Sequence, residues 1–164
     1  MREANAGWAR WLLVSAAIVA ADLATKAWIA RAFAPGEVFT VTPFFNLVLV
    51  YNTGAAFSFL AGAGGWQRWF FMAVSIGVSV AIVWMLSRRE NHPLLSAALA
   101  LVLGGALGNL YDRITLGHVV DFVQLHAGGY YWPAFNVADS AISIGVALLV
   151  WESLRAKEKH VDAT

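Results

Sequence analysis

Apolar residues run along this chain in long unbroken blocks rather than alternating with polar ones. Trp69 to Leu86 is 18 residues without a charge, Pro93 to Leu110 is another 18, and Phe135 to Trp151 is 17 with Asp139 as its one charged residue. At about 1.5 Å per helical residue, such a block reaches about 27 Å, close to the ~30 Å hydrocarbon thickness of a bilayer. Each block therefore predicts a transmembrane helix. The first block is shorter, with 11 residues from Trp11 to Ala21 before Asp22. Behind Arg2 and Arg10 it also suits the apolar core of a signal peptide. Extended to Trp8 and Trp28 it becomes 21 residues bracketed by interfacial aromatics. Asp22 and Lys26 then stand one turn apart and neutralise each other. The pattern predicts an α-helical polytopic membrane protein. Its four transmembrane helices lie at about 10–30, 68–87, 93–111 and 135–154, in a single membrane-embedded domain over 1–164.

The connections differ in texture. Glu37 to Thr42 and Phe45 to Tyr51 are rich in β-branched and aromatic residues and are separated by Pro43. They predict two short strands, a small external β-sheet within 36–60 resting on the membrane surface. Ala61-Gly-Ala-Gly-Gly65 reads as a flexible turn. The connection 114–133 reads as an external loop containing Val119-Val-Asp-Phe-Val and Gly128-Gly129. Arg2, Arg10, Arg88, Arg89, Arg155, Lys157 and Lys159 fall on one side of four spans, and Lys26, Arg31, Arg68 and Arg113 on the other. The excess of positive charge puts both termini in the cytoplasm.

Composition sharpens this picture. The 60% hydrophobic and 13% charged fractions depart from the roughly 45–50% and 25% of soluble domains. The net charge of +1 gives no footprint for nucleic acid. The absence of cysteine removes disulfides, thiolate nucleophiles and Cys-based metal sites. His92, His118, His126 and His160 share no helical ligand spacing, so no metal and no cofactor are expected.

The topology brings polar residues to one membrane face. Asp22 and Lys26 close the first span, Asn109, Asp112 and Arg113 close the third, Asn136 and Asp139 open the fourth, and Asn52 and Asp121 lie in the external connections. The opposite half holds only hydroxyls such as Ser15, Ser79 and Ser96, which suit helix packing. Ionisable groups within spans cost about 2.5–3.5 kcal/mol at the centre, so their convergence points to function. Asp22 with Lys26 reads as a structural pair, Asp112 as a local or interhelical ion-pair partner, and Asn52 and Asn109 as hydrogen-bonding supports. Gly104 and Gly108 form a GxxxG pattern that lets helices approach. Asp121 and Asp139 have no cation at helical spacing and are candidates for each other. Two such carboxylates cannot both ionise, so they share a proton. One serves as general base on water while the protonated one polarises a carbonyl, as in aspartic proteases. No Gly-x-Ser-x-Gly elbow, His-Glu-x-x-His helix or phosphate loop offers another chemistry.

Four blocks carry a resemblance: Asp22-Leu-Ala-Thr-Lys26; Asn52-Thr-Gly-Ala-Ala-Phe57; Gly104-Gly-Ala-Leu-Gly-Asn-Leu-Tyr-Asp-Arg113 with Val119-Val-Asp-Phe122; and Phe135-Asn-Val-Ala-Asp139 with Ile142 and Gly145. In this order the chain resembles the bacterial lipoprotein signal peptidases (signal peptidase II), membrane aspartic peptidases. The resemblance implies that Asp121 and Asp139 are the catalytic pair. It implies that Asn52, Gly54, Asn109, Arg113 and Asn136 line or brace the site, and that Asp22 and Lys26 position substrate or hold helices. The implied substrate is a prolipoprotein carrying diacylglycerol on a cysteine, cut just before that cysteine. The implied inhibitor is the cyclic peptide globomycin, and the implied location is the bacterial inner membrane with the site facing outward. A monomer suffices, because one chain supplies every block. The sheet, with Gly54, Ala55 and Ala56, is expected to clamp the lipid-bearing segment against the membrane. Two other classes compete. A transporter needs ionisable groups along a path through the membrane, which the cytoplasmic half lacks. A non-enzymatic assembly factor would use the aspartates structurally.

Overall fold

Each helix starts and stops where local chemistry tells it to. The computed structural model of the chain describes residues 6–54, 64–88 and 92–161. Helix α1, Ala9–Ala32, ends as Phe33 turns extended, two residues before Pro35, and the Phe33 N–H still reaches Ile29 O at 3.0 Å. Helix α2 covers Trp66–Arg88. Helix α3, Pro93–Thr115, opens on proline, whose missing N–H would have had no helical partner anyway. It closes at Gly117, whose φ of +83° suits glycine. Helix α4 runs Val137–Val161 behind Asn136. All four are long and apolar enough to cross a membrane, as the sequence pattern predicts.

Strands β1 (Val38–Thr42), β2 (Phe45–Asn52), β3 (Val119–Ala127) and β4 (Tyr130–Tyr131) form an antiparallel sheet in that order. The sheet is larger than the two strands expected within 36–60. The segment read as loop contributes β3, because Val119-Val-Asp-Phe-Val pairs along β2 and is buried over its first four residues. Of the three small residues named for the expected clamp, Gly54 is described, whereas Ala55 and Ala56 lie outside the described residues. So do Arg2, Arg89 and most of the Ala61–Gly65 turn.

Helix α3 is the axis of the bundle. It buries 14 of its 23 residues and packs against α1, α2 and α4. Glycines permit those approaches. A Cβ on Gly104 would sit 2.8 Å from Ile18 Cβ on α1, and one on Gly145 of α4 would sit 2.7 Å from Ala98 O. At Gly105 an added Cβ would strike the Ala138 carbonyl. The other helices present large apolar side chains outward, among them Leu13, Val80, Trp84 and Trp151. In water this would be costly; against lipid it is the expected arrangement. One apolar cluster, Ile82, Leu86, Leu99, Val102 and Leu103, fills the end of the bundle away from the sheet. A second, Ile29, Leu49, Val120 and Phe122, joins α1 to the sheet.

Candidate active site

The polar residues of α1, α3, α4, β2 and β3 meet at the sheet end of the bundle. Lys26 lies at their centre and is 3% exposed. Its ammonium is 2.7 Å from Asp22 Oδ2, 2.9 Å from Asp112 Oδ2 and 3.0 Å from Asn109 Oδ1, so three acceptors meet its three protons. The ion pair of Asp112 is thus interhelical, with Lys26. The same carboxylate accepts the Val120 N–H at 3.1 Å and ties β3 to α3. Asp22 Oδ1 accepts the Ala138 N–H at 2.9 Å, so an α1 carboxylate caps the start of α4. Gly108 makes room for it: an added Cβ would stand 2.6 Å from Asp22 Oδ2.

Asn136 links the two candidate aspartates. It is the N-cap of α4, and its Oδ1 accepts the Asp139 N–H at 2.8 Å. Its Nδ2 donates to Asp121 Oδ1 at 2.7 Å. This reach depends on Phe135, which exchanges backbone hydrogen bonds with Val123 at 2.8 and 2.9 Å and lays the start of α4 along β3. Asp121 Oδ2 accepts Asn52 Nδ2 at 2.9 Å. Strand register explains that contact: Val50 opposes Asp121 and Asn52 opposes Val119, so Asn52 is a diagonal neighbour on the same face. Asn109 Nδ2 donates to Asp139 Oδ1 at 2.7 Å. Arg113 Nη2 donates to the buried Gly54 carbonyl at 2.7 Å, and its Nη1 to Asn109 O at 3.3 Å. The fold therefore gathers Asp22, Lys26, Asn52, Gly54, Asn109, Asp112, Arg113, Asp121, Asn136 and Asp139. Gly108 lies beneath them, and Gly104 one turn deeper at the α1–α3 crossing.

Burial separates the two aspartates. Asp121 is 1% exposed with both oxygens held by amide donors, whereas Asp139 is half-buried. Burial pushes the Asp121 carboxyl up to about 7, and the nearby Asp139 charge adds to the rise against the two amides. Near neutrality Asp121 therefore exchanges a proton. Asp139, Asn109 and Arg113 lie on the wall of a cavity of about 750 Å³ that continues between α2 and α4 along Val74, Val78, Val102 and Ile142. Among the described residues, no three His, Cys, Asp or Glu side chains are placed to hold a metal ion. One half-buried carboxylate thus opens onto an apolar groove, and the buried Asp121 is linked to it through Asn136.

Sequence reasoning missed three elements of the site. The capping of α4 by Asp22 and the α3-end contacts of Arg68 join residues too distant in sequence for any spacing rule. The strand character of β3 had a signal, its β-branched run around Asp121.

Comparison with known proteins finds similarity along nearly the whole length of the chain. The profile of the family described as Signal peptidase (SPase) II matches residues 14–155. The lipoprotein signal peptidase of Paraburkholderia phymatum is 51% identical over 154 residues, 94% of this chain and 93% of that protein. The one of Burkholderia mallei is 49% identical over the same shares. A bacterial membrane enzyme solved by the in meso method at 2.3 Å resolution superposes with a TM-score of 0.84, at 33% identity over 92% of this chain and 91% of that one. Another, at 1.9 Å resolution, gives 0.77 at 34% identity over 89% and 93%. Sequence and fold together place this chain in the signal peptidase II family, multi-pass peptidases of the bacterial inner membrane that remove the signal peptides of lipoproteins.

Proposed function

We propose that Asp121 and Asp139 form the catalytic pair of an aspartic endopeptidase that cuts diacylglyceryl-modified prolipoproteins just before the lipidated cysteine. One observation carries this reading: the half-buried Asp139 stands at the head of an apolar groove, while the asparagine network joins it to the buried Asp121. The groove between α2 and α4 would take the apolar signal segment and bring its end to the carboxylates. Asn52, Asn109 and Asn136 orient the pair, Arg113 holds the segment at Gly54, and Asp22, Lys26 and Asp112 lock α1, α3 and α4 around them.

The reaction needs one proton between the two carboxylates. The ionised carboxylate takes a proton from a bound water, and the water oxygen bonds to the scissile carbonyl carbon. The protonated carboxylate passes its proton to the carbonyl oxygen. Collapse of the tetrahedral species returns that proton and breaks the C–N bond. The proton taken from water goes to the departing amine of the cysteine. No cofactor is required. The excess of Lys and Arg at the opposite end supports cytoplasmic termini and a site facing the periplasm. A globomycin-type cyclic peptide would compete for the groove, and a monomer contains the whole site.

The test is cleavage by purified protein in detergent, with a prolipoprotein offered with and without its diacylglycerol. Lipid-dependent cleavage before the cysteine, lost in Asp121→Asn and Asp139→Asn, is expected. Folded wild type that binds the lipidated substrate without cutting it would instead support a lipoprotein assembly factor.

A further inference from the structure

We propose that Arg68, at the start of α2, is a positioning residue that acts on the active site through Arg113. The inference rests on the peptidase reading above. A helix end leaves its last carbonyls without helical donors. In the last turn of α3, Asp112 O receives the N–H groups of Leu116 and Gly117 at 2.7 and 3.2 Å. The next two carbonyls are served from another helix: Arg68 Nε donates to Arg113 O at 2.8 Å, and Nη2 to Ile114 O at 3.2 Å. A planar guanidinium can bridge two adjacent carbonyls in this way; a lysine is a point donor. The cation also stands at the negative end of the α3 dipole.

The same face of α2 holds Arg113 a second time. Phe71, three residues after Arg68, lies under the Arg113 guanidinium at 5.3 Å. Backbone and side chain of Arg113 are thus both set by α2. From there Arg113 reaches Gly54 O at 2.7 Å, the Gly54 N–H donates to Asn52 Oδ1 at 2.9 Å, and Asn52 donates to Asp121. Arg68 is the first link of a chain that ends on a candidate catalytic carboxylate without touching it. Gly117 fits this arrangement twice over. Its φ is +83°, and a Cβ there would stand 3.3 Å from Arg68 Nη1. Because α2 also forms one wall of the groove, the contact fixes that wall relative to α3.

The test is a kinetic double-mutant cycle on the full-length enzyme with a lipidated prolipoprotein peptide. Arg68→Ala should lower kcat on the order of 10-fold with KM within about twofold, as expected for misplacement of a group around the chemistry. Arg68→Lys should recover part of the loss. Arg68→Ala combined with Arg113→Lys should be about as slow as Arg113→Lys alone, because both act on one link. Thermal unfolding and peptide binding report whether each variant is folded, and if Arg68→Ala is not, Arg68→Lys carries the cycle. Unchanged kcat in the folded variant, or two losses that multiply in full, would overturn the proposal. Wild type that fails to cleave would overturn the peptidase reading itself, so the two failures are distinguishable.

Discussion

The two ends of the bundle are built on opposite principles. At the sheet end, buried Asp22, Lys26, Asn109, Asp112, Arg113, Asp121 and Asn136 are joined by hydrogen bonds and ion pairs. At the other end, Ile82, Leu86, Leu99, Val102 and Leu103 pack with Trp8, Trp11 and Leu12, and Ser15 donates to the Ala100 carbonyl at 2.9 Å. Lipid offers no hydrophobic incentive for helices to associate, so the apolar end relies on close packing and a few interhelical hydrogen bonds. The sheet end carries desolvated charge that is stable only while every partner is present. One end supplies rigidity, and the other uses it to hold groups in a costly arrangement.

The largest separation of the two ends should come from Asp139→Asn and Asp121→Asn. Each is expected to lower kcat by on the order of 10³-fold in variants that thermal unfolding shows to be folded, within the range for general acid–base groups. Loss of folding without a specific loss of turnover would break the comparison. Next in size is Lys26→Met, which leaves Asp22 and Asp112 without their shared cation. It should destabilise by about 3–5 kcal/mol, and adding Asp112→Asn should restore part of that, measured by thermal unfolding in detergent. A mild effect would mean that the network contributes less than its geometry suggests. At the apolar end, Leu103→Ala should cost about 2–3 kcal/mol through its cavity while the folded fraction keeps the wild-type kcat.

The pH dependence of stability should also mark the sheet end. Asp121 binds its proton more tightly folded, at about 7, than at the ordinary carboxylate value of 3.8. The folded chain therefore holds more protons than the unfolded one between these values, and stability falls as pH rises through that window. The contribution is complete below the lower value and lost above the upper. Unfolding temperatures between pH 4 and 8 should show the decline in wild type and a flatter curve in Asp121→Asn. Equal slopes would remove Asp121 as its source.

Much of this architecture was legible because a bilayer is a demanding solvent. Every backbone polar group must be satisfied within the chain, so an 18-residue apolar block has few alternatives to a helix. Helix direction then carried Asp22, Lys26, Asn109, Asp112, Arg113, Asn136 and Asp139 to one end by arithmetic alone. The GxxxG glycines announced close approach, though not that Gly104 meets α1 while Gly108 leaves room for a carboxylate. Strand β3 was harder to see, because a short apolar run with one aspartate reads as strand or loop until a partner edge is known.

Length, hydropathy and residue type alone therefore determined the four helices, the common face of the charged groups and the candidate aspartates. Tertiary structure alone decided the pairings between elements: Asp112 as the second carboxylate on Lys26, Asn136 as donor to Asp121, Asn52 beside Asp121 through strand register, and Arg68 on the end of α3. The physical reason is range. Solvation and helix periodicity act on neighbours in sequence, whereas a hydrogen bond of about 3 Å between residues dozens of positions apart exists only once the whole bundle has closed.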